Sequence, residues 1–292
     1  MKGIILAGGA GTRLYPMTKV STKQLQPIYD KPMIYYPLSF LMLGGIKDIL
    51  IISTPQDRPS FEELLGSGAH LGIRISYEIQ EAPTGLPEAF VIGEKFINGE
   101  DVTLILGDNL IYGNMDFFRD AVEHQIKHTG NIAARVFAYY VADPSAYGVV
   151  EFDPKTNRVV SLEEKPVKPK SNYAIPGLYL FDGTVSERTK KLKRSSRGET
   201  EIVDLIRSYL AEQKLGVELM RRGIAWLDTG TPENLLEASA FIGAIEKRQG
   251  LKVACPEEIA LRMRYVTEED FLKNLERIPK SPYKEYLQRI NQ

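Results

Sequence analysis

The sequence predicts an α/β fold with a mostly parallel central sheet and helices on both of its faces. Three observations predict it. Through the first half of the chain, apolar runs of strand length alternate with segments of helical spacing. The first of these runs ends directly on a glycine cluster, the usual place for a ligand in an open α/β sheet. The 292 residues, 43% hydrophobic and 26% charged, suffice for a large core and carry no bias towards disorder.

Taken in order, Lys2 to Leu6 reads as a short buried strand. Met33 to Leu43 has a helical pattern and is ended by Gly44-Gly45. Ile49 to Ser53 is a strand, Ser60 to Leu65 a helix, Ile73 to Ile79 a strand, and Leu86 to Phe96 a helix. Val102 to Leu106, Asp116 to Lys127 and Ile132 to Tyr140 then read as strand, helix and strand. Such alternation implies a Rossmann-like sheet. After Pro144 the texture changes. Tyr147 to Phe152, Arg158 to Glu163 and Tyr173 to Phe181 are strand candidates without full helices between them, which implies an antiparallel insertion. Helices over Thr200 to Gln213 and Pro232 to Gln249 flank strand signals at Gly216 to Met220 and Ala225 to Leu227. From Pro256 onward the pattern gives two or three short charged helices. No linker separates domains and no repeat is visible, so one α/β unit is expected over residues 1–250, with a helical appendage over 251–292.

A formal charge of −1 leaves no basic field, which argues against nucleic acid or an anionic membrane as the main partner. The single cysteine, Cys255, has no partner for an internal disulfide. The three histidines, His70, His124 and His128, give no zinc-ligand spacing, and His124 and His128 read as surface residues. With no apolar leader and no run long enough to span a bilayer, a cytoplasmic location is expected.

The stretch Leu6-Ala7-Gly8-Gly9-Ala10-Gly11-Thr12-Arg13-Leu14 places three glycines and an arginine after the first strand. Glycine lets main-chain N–H groups approach an anion, and a guanidinium adds a planar fork of donors, so a polyphosphate is the natural occupant. No lysine follows a glycine as a Walker loop needs, and G-x-G-x-x-G fails because Leu14 stands at its third glycine. That failure weakens a dinucleotide-dependent oxidoreductase. The glycine cluster alone fits an ordinary strand-to-helix turn as well as a phosphate site. Lys23, about ten residues beyond Arg13, is within reach of the same polyphosphate if the loop folds back. Leu104-Ile105-Leu106-Gly107-Asp108-Asn109 is an apolar strand ending in a carboxylate, a place to hold Mg²⁺ or, alternatively, a cap or Asx-turn. Asp228 closes a second apolar stretch, where it could also support the helix start at Thr231-Pro232. Glu163-Glu164-Lys165-Pro166, with Tyr147-Gly148 before it, could hold sugar hydroxyls and a phosphate, or form a solvated turn.

These motifs together resemble the sugar nucleotidyltransferase family, and within it the thymidylyltransferase branch. The resemblance covers nearly the whole chain. It rests on the L-A-G-G-x-G-T-R-L opening, Ser21 to Pro37, Leu106 to Asn109, Tyr147 to Phe152, Glu163 to Pro166, Ser171-Asn172-Tyr173, Trp226 to Gly230 and Arg248 to Lys252. It implies that dTTP and glucose 1-phosphate are joined to dTDP-glucose with release of pyrophosphate, feeding dTDP-rhamnose or related deoxysugar synthesis. Gly8, Gly11, Thr12, Arg13 and Lys23 would hold the triphosphate, and Gln24, Gln80 and Gly85 the nucleoside. Asp108 and Asp228 would bind Mg²⁺. Asn109, Tyr147, Gly148, Glu164, Lys165 and Tyr179 would line the sugar-phosphate pocket, with Arg13, Lys23, Asp108, Lys165 and Asp228 as the catalytic set. The nucleotide part would span about 1–110 and the sugar-phosphate part about 111–230. The resemblance also implies a homotetramer and a second nucleotide site at a subunit interface around Lys252 to Arg262, used for feedback by dTDP-rhamnose, with Cys255 buried there. Gly85-Leu86-Pro87-Glu88-Ala89 departs from the family's usual G-L-A-Q-A, putting Pro87 in the first turn of a helix and Glu88 where it could alter sugar or ribose contacts. The competing readings are a UTP-using uridylyltransferase and a non-catalytic sugar-nucleotide-binding regulator.

Overall fold

A computed structural model describes residues 1–9, 11–127, 131–195 and 198–290; Ala10 of the glycine loop and His128 lie outside the described residues. The elements in chain order are β1 (Lys2–Leu6), β2 (Pro27–Ile28), β3 (Lys31–Pro32), α1 (Tyr35–Leu43), β4 (Asp48–Ser53), α2 (Arg58–Leu65), β5 (Arg74–Ile79), α3 (Glu88–Ile92), α4 (Glu94–Ile97), β6 (Val102–Leu106), β7 (Asn109–Tyr112) and α5 (Asp116–Ile126). There follow β8 (Ala134–Tyr140), β9 (Gly148–Phe152), β10 (Val159–Glu164), β11 (Tyr173–Ile175), β12 (Leu178–Phe181), α6 (Val185–Lys190), α7 (Ile202–Ala211), β13 (Leu215–Met220), β14 (Ala225–Asp228), α8 (Pro232–Gln249), α9 (Pro256–Arg262), α10 (Glu268–Arg277) and α11 (Pro282–Ile290).

Among the described residues, ten strands form one sheet in the order β10-β9-β11-β8-β12-β6-β1-β4-β5, with β13 beside β8. The half built from β6, β1, β4 and β5 is parallel. Beyond β6 the pairings are antiparallel, except that β13 runs parallel to β8. The parallel sheet and the antiparallel insertion expected from the sequence are thus two halves of a single sheet. Side-chain alternation along β1 feeds both of its faces. Ile4 and Leu6 join one core with Leu50, Ile52 and Leu104, while Ile5 and Ala7 join the other with Ile49, Ile51 and Ile105.

The expected strand over Tyr173 to Phe181 is split. Pro176 and Gly177 separate β11 from β12: proline has no N–H to give, the Leu178 N–H turns back to the Pro176 carbonyl at 2.7 Å, and the Gly177 carbonyl, accepting the Leu106 N–H at 2.8 Å, already belongs to the pairing with β6. One edge of the split strand stays on β8, while its other edge changes partner from β6 to β9. The sheet forks there, at the carboxyl end of β6. The expected helix over Leu86 to Phe96 is likewise two short helices, α3 and α4, meeting at Gly93. A Cβ on Gly93 would lie 3.1 Å from Leu50 Cδ2 and Ile4 Cδ1, so this backbone packs directly on the sheet.

The C-terminal stretch forms three helices. Cys255, Phe271, Leu275, Tyr286 and Leu287 make a small core of their own, while Ile259 and Ala260 join the core under α1. Tyr265 donates its hydroxyl to the Met42 carbonyl at 2.7 Å, and Asn274 donates to the His70 carbonyl at 2.8 Å. No helix of the described residues is long and apolar enough to cross a membrane.

A candidate active site of two joined cavities

The chain leaves β1 into a loop with glycine at two positive-φ positions. Gly9 and Gly11 have φ of 111° and 57°. A Cβ on Gly11 would stand 2.8 Å from Thr18 Cγ2, and the Thr18 hydroxyl donates to the Gly11 carbonyl at 2.9 Å. Thr12–Leu14 then make one 3-10 turn, which roots Leu14 in the core and leaves Arg13 exposed. The stretch to Lys23 is irregular, as expected, apart from two further 3-10 turns at Met17–Lys19 and Lys23–Leu25. No long helix follows the loop, in agreement with the failed dinucleotide spacing.

The loop folds back so that Lys23 meets the strand-end carboxylate. Its ammonium is ion-paired with Asp108 Oδ2. Gln24 is buried; its side chain accepts the Thr22 hydroxyl at 2.8 Å and its carbonyl accepts the Ile34 N–H at 2.8 Å. Gly8, Gly11, Thr12, Arg13, Lys23, Gln24 and Asp108 line one cavity of about 280 Å³. Gln80 and Gly85 stand behind this lining. A Cβ on Gly8 would be 3.2 Å from Gln80 Oε1, and Gly85, with φ of 114°, passes so close to the Thr200 carbonyl that a Cβ would collide with it.

β14 completes the centre. It pairs with β7 in a register that sets Asp228 opposite Asn109, next to Asp108. β7 was not expected from the sequence, because Asp108-Asn109 also reads as a cap or turn. Tyr147, Gly148, Glu164, Lys165, Tyr179, Asn109 and Asp228 line a second cavity of about 200 Å³. Arg13, Leu86, Leu106 and Asp108 belong to both cavities, so the two share a wall. All the residues proposed for the sugar phosphate therefore converge. Pro87 is the N-cap of α3, one position before the first turn expected for it, and Glu88 is not among the residues lining either cavity.

Charge is concentrated where the cavities meet. Burial, reinforced by the neighbouring Asp108 charge, pushes the Asp228 carboxyl above the ordinary carboxylate range, against the pull of Lys23 and Arg13. Burial and the Asp228 charge raise the Tyr147 phenol, and burial, with a contribution from Glu164, raises that of Tyr179. Glu164 Oε2 would lie 3.5 Å from a Cβ on Gly148, so glycine leaves room beside that carboxylate. Lys165 sits at φ of 44° with its ammonium 3.7 Å from Glu164 Oε1 and its side chain 55% exposed, free to turn to another anion.

Among the described residues, no group of three or more His, Cys, Asp or Glu could enclose a metal ion. Asp108 and Asp228 offer two repelling carboxylates, one of them destabilised as an anion. That donor set fits a hard cation completed by phosphate oxygens and water, the mode of Mg²⁺.

Several lining residues were absent from the sequence-derived set, Trp226, Leu86 and Gly230 among them. Trp226 floors the second cavity, its ring 5.0 Å from Tyr147 and 5.7 Å from Tyr139. Leu86 stands in the shared wall. Gly230 lies under Arg13: a Cβ there would be 3.2 Å from both Nη atoms. Trp226 and Gly230 flank Asp228 in the Trp226-Leu227-Asp228-Thr229-Gly230 motif, which was the available signal.

Comparison with known proteins places this geometry. A profile of the nucleotidyl transferase family matches residues 2–244. The glucose-1-phosphate thymidylyltransferase of Mycobacterium tuberculosis is 52% identical over 288 residues, covering 98% of each chain. That of Neisseria meningitidis is 51% identical over 290 residues, covering 99% of each. A Bacillus anthracis protein crystallised with sucrose superposes with a TM-score of 0.75 at 38% identity, over 82% of this chain and 94% of the other.

Proposed function

The chain belongs to the nucleotidyl transferase family, and from that premise we infer that it transfers a thymidylyl group from dTTP to glucose 1-phosphate, giving dTDP-glucose and pyrophosphate. The observation that carries this reading is the shared wall of Arg13, Leu86, Leu106 and Asp108 between a glycine-rich cavity and an aromatic, carboxylate-bearing one. Two substrates can lie on its two sides with their phosphates meeting at Arg13 and Asp108.

A phosphate oxygen of glucose 1-phosphate bonds to the α-phosphorus of dTTP, and the bond to the bridging oxygen of pyrophosphate breaks, the electron pair leaving with it. Both reactants are anions, so bringing them together costs charge repulsion and entropy. Arg13 and the loop N–H groups hold the leaving phosphates, Lys23 neutralises charge at the centre, and Lys165 turns from Glu164 to the sugar phosphate. Glu164 accepts sugar hydroxyls. The nucleophile is already ionised at neutral pH, so no side chain has to remove a proton. Asp108 and Asp228 would hold Mg²⁺, which when bound would supply charge stabilisation to the phosphates.

The C-terminal segment supports a regulatory reading. A cavity of about 410 Å³ beside α9 is lined by Tyr112, Arg119, Lys252, Cys255, Glu258 and Arg262 among others. It suits an anionic nucleotide, with dTDP-rhamnose as the feedback ligand and a homotetramer as the assembly. Light scattering and inhibition by dTDP-rhamnose test these two points.

The central test is pyrophosphate release across dTTP, UTP and CTP against glucose 1-phosphate and its epimers, with Mg²⁺. Release is expected to be fastest with dTTP and glucose 1-phosphate. A preference for UTP would move the chain to the uridylyltransferases, and no release with any pair would leave a sugar-nucleotide-binding regulator. Thymine differs from uracil by one methyl, so the base alone should favour dTTP by about 10–200-fold.

A further inference from the structure

We propose that Asn109 is a positioning residue for the Asp108 carboxylate, fixed in that role by the indole N–H of Trp226 on the floor of the second cavity. Asn109 is only 5% exposed. Its Oδ1 accepts two N–H groups, from Trp226 Nε1 at 2.7 Å and from the Gly177 backbone at 3.1 Å. A carboxamide oxygen has two lone pairs, so both are used and the orientation of the amide is determined. Its nitrogen must face the opposite way, and there Nδ2 donates to Asp108 Oδ1 at 3.1 Å. Turning the amide over would oppose N–H to N–H twice and oxygen to carboxylate once.

The two oxygens of Asp108 are therefore held differently. Oδ1 is bonded to an amide that is itself held at two points, while Oδ2 is paired with Lys23, at the end of a flexible side chain. Only the Lys23 side is free to change partner when an anion enters the glycine-rich cavity. The packing around Asn109 is tight: a Cβ on Gly177 would lie 2.5 Å from Leu106 Cγ and Cδ1 and 2.9 Å from Asn109 Nδ2, so glycine at the break between β11 and β12 keeps the amide and Leu106 in place.

Trp226 gives the arrangement a direction. Its ring packs against Tyr147, and both line the cavity assigned to the sugar phosphate. A ligand on that side lies against the same indole whose N–H fixes Asn109, so the amide links the sugar side of the site to the orientation of Asp108. The inference rests on Asp108 being the carboxylate of the reacting centre, and it assigns Asn109 an effect that a sugar contact alone would not have.

The test is calorimetric binding of dTTP with Mg²⁺ to the full chain in the absence of any sugar phosphate, for wild type, Asn109→Asp and Trp226→Phe. Asn109→Asp keeps an acceptor for Trp226 and Gly177 but replaces the donor to Asp108 with a repelling oxygen. It is expected to weaken Mg²⁺-dependent dTTP binding by about 10–100-fold, the usual loss for a partner that orients a metal-binding side chain. Trp226→Phe keeps the ring and removes one of the two bonds to Oδ1; a smaller loss in the same direction, at unchanged melting temperature, is expected. Wild-type binding by folded Trp226→Phe and Asn109→Asp proteins, with only the KM for glucose 1-phosphate altered, would overturn the proposal and leave Asn109 as a sugar contact. If Asn109→Asp does not fold, Trp226→Phe decides alone. Failure of the wild-type protein to bind dTTP would instead sink the parent reading.

Discussion

The Lys23 ammonium closes on the Asp108 carboxylate, bridging 85 positions of sequence. Both groups are largely buried, at 12% and 17% side-chain exposure, so each depends on the other for charge compensation when no substrate is bound. Entry of a nucleotide must exchange this pair for contacts with phosphate.

Lys23→Ala removes a preorganised cation from the centre and should lower kcat by about 10²–10³-fold with dTTP and glucose 1-phosphate. Asp108→Asn should fall by a similar factor, and the double variant by much less than the product, since the two residues act as one unit. Steady-state pyrophosphate release on the three variants measures this. Near-wild-type turnover of either single variant would refute the assigned roles.

Gly230→Ala separates binding from stability. The new Cβ would lie 3.2 Å from both Nη atoms of Arg13, the exposed end of a flexible side chain that can move aside, and 3.2 Å from Asp228 Oδ1. The melting temperature should change little while KM for dTTP rises by about tenfold, equivalent to ~1.4 kcal/mol. A large loss of stability with unchanged KM would mean that Gly230 serves the backbone and not Arg13.

Removal of divalent cations should abolish turnover reversibly. Treatment with a chelator is expected to stop pyrophosphate release and added Mg²⁺ to restore it. Mg²⁺ with dTTP should also raise the melting temperature more than dTTP alone. Full activity in chelator would exclude a metal held by Asp108 and Asp228.

A buried ion cluster should make stability depend on pH at both extremes. Lys31 and Lys252 meet Asp30 and Glu246 where the turn between β2 and β3 touches the end of α8 and the segment after it. Burial pulls the Asp30 carboxyl up, but Lys252 and Lys31 outweigh it and hold the group below its ordinary value. Its contribution is therefore present above an unfolded value of about 3.9 and is lost as pH falls through the lowered one. Burial pulls Lys252 down, but Asp30 and Glu246 outweigh it and leave the amine raised. That contribution is present below about 10.4 and is lost as pH rises through the raised value. Thermal melts of wild type and Lys252→Met between acid and alkaline pH should converge at both ends and separate between them. Parallel curves would show that the cluster contributes no linkage.

Local pattern made most of the parallel half legible. The apolar runs of Lys2 to Leu6 and Val102 to Leu106 specify strands whose two faces are buried, and Gly44-Gly45 ends α1 as its position predicts. Misreadings cluster where a long-range bond decides. Tyr173 to Phe181 has strand composition throughout, yet it is divided at Pro176-Gly177, where one edge exchanges β9 for β6. Leu86 to Phe96 has helical spacing, yet close packing of Gly93 on Ile4 and Leu50 divides it. β7 exists only because β14, more than a hundred residues later, supplies its partner.

For the site, the sequence by itself determined which chemical groups are available: a cationic glycine loop, two strand-end carboxylates, and a Glu-Lys pair near a Tyr-Gly. Residue type and spacing along one strand or loop fix such local properties. Which groups meet was decided only by tertiary structure. The fork of the sheet at Gly177, the pairing of β7 with β14, and the return of the loop to Asp108 bring Arg13, Lys23, Asp108, and Trp226 with Asp228, from four stretches of chain to one point. The side chains that complete the site, Trp226 beneath Asn109 and Gly230 beneath Arg13, act through distance and orientation. Those quantities depend on how separate elements pack, and no periodicity within a single segment encodes them.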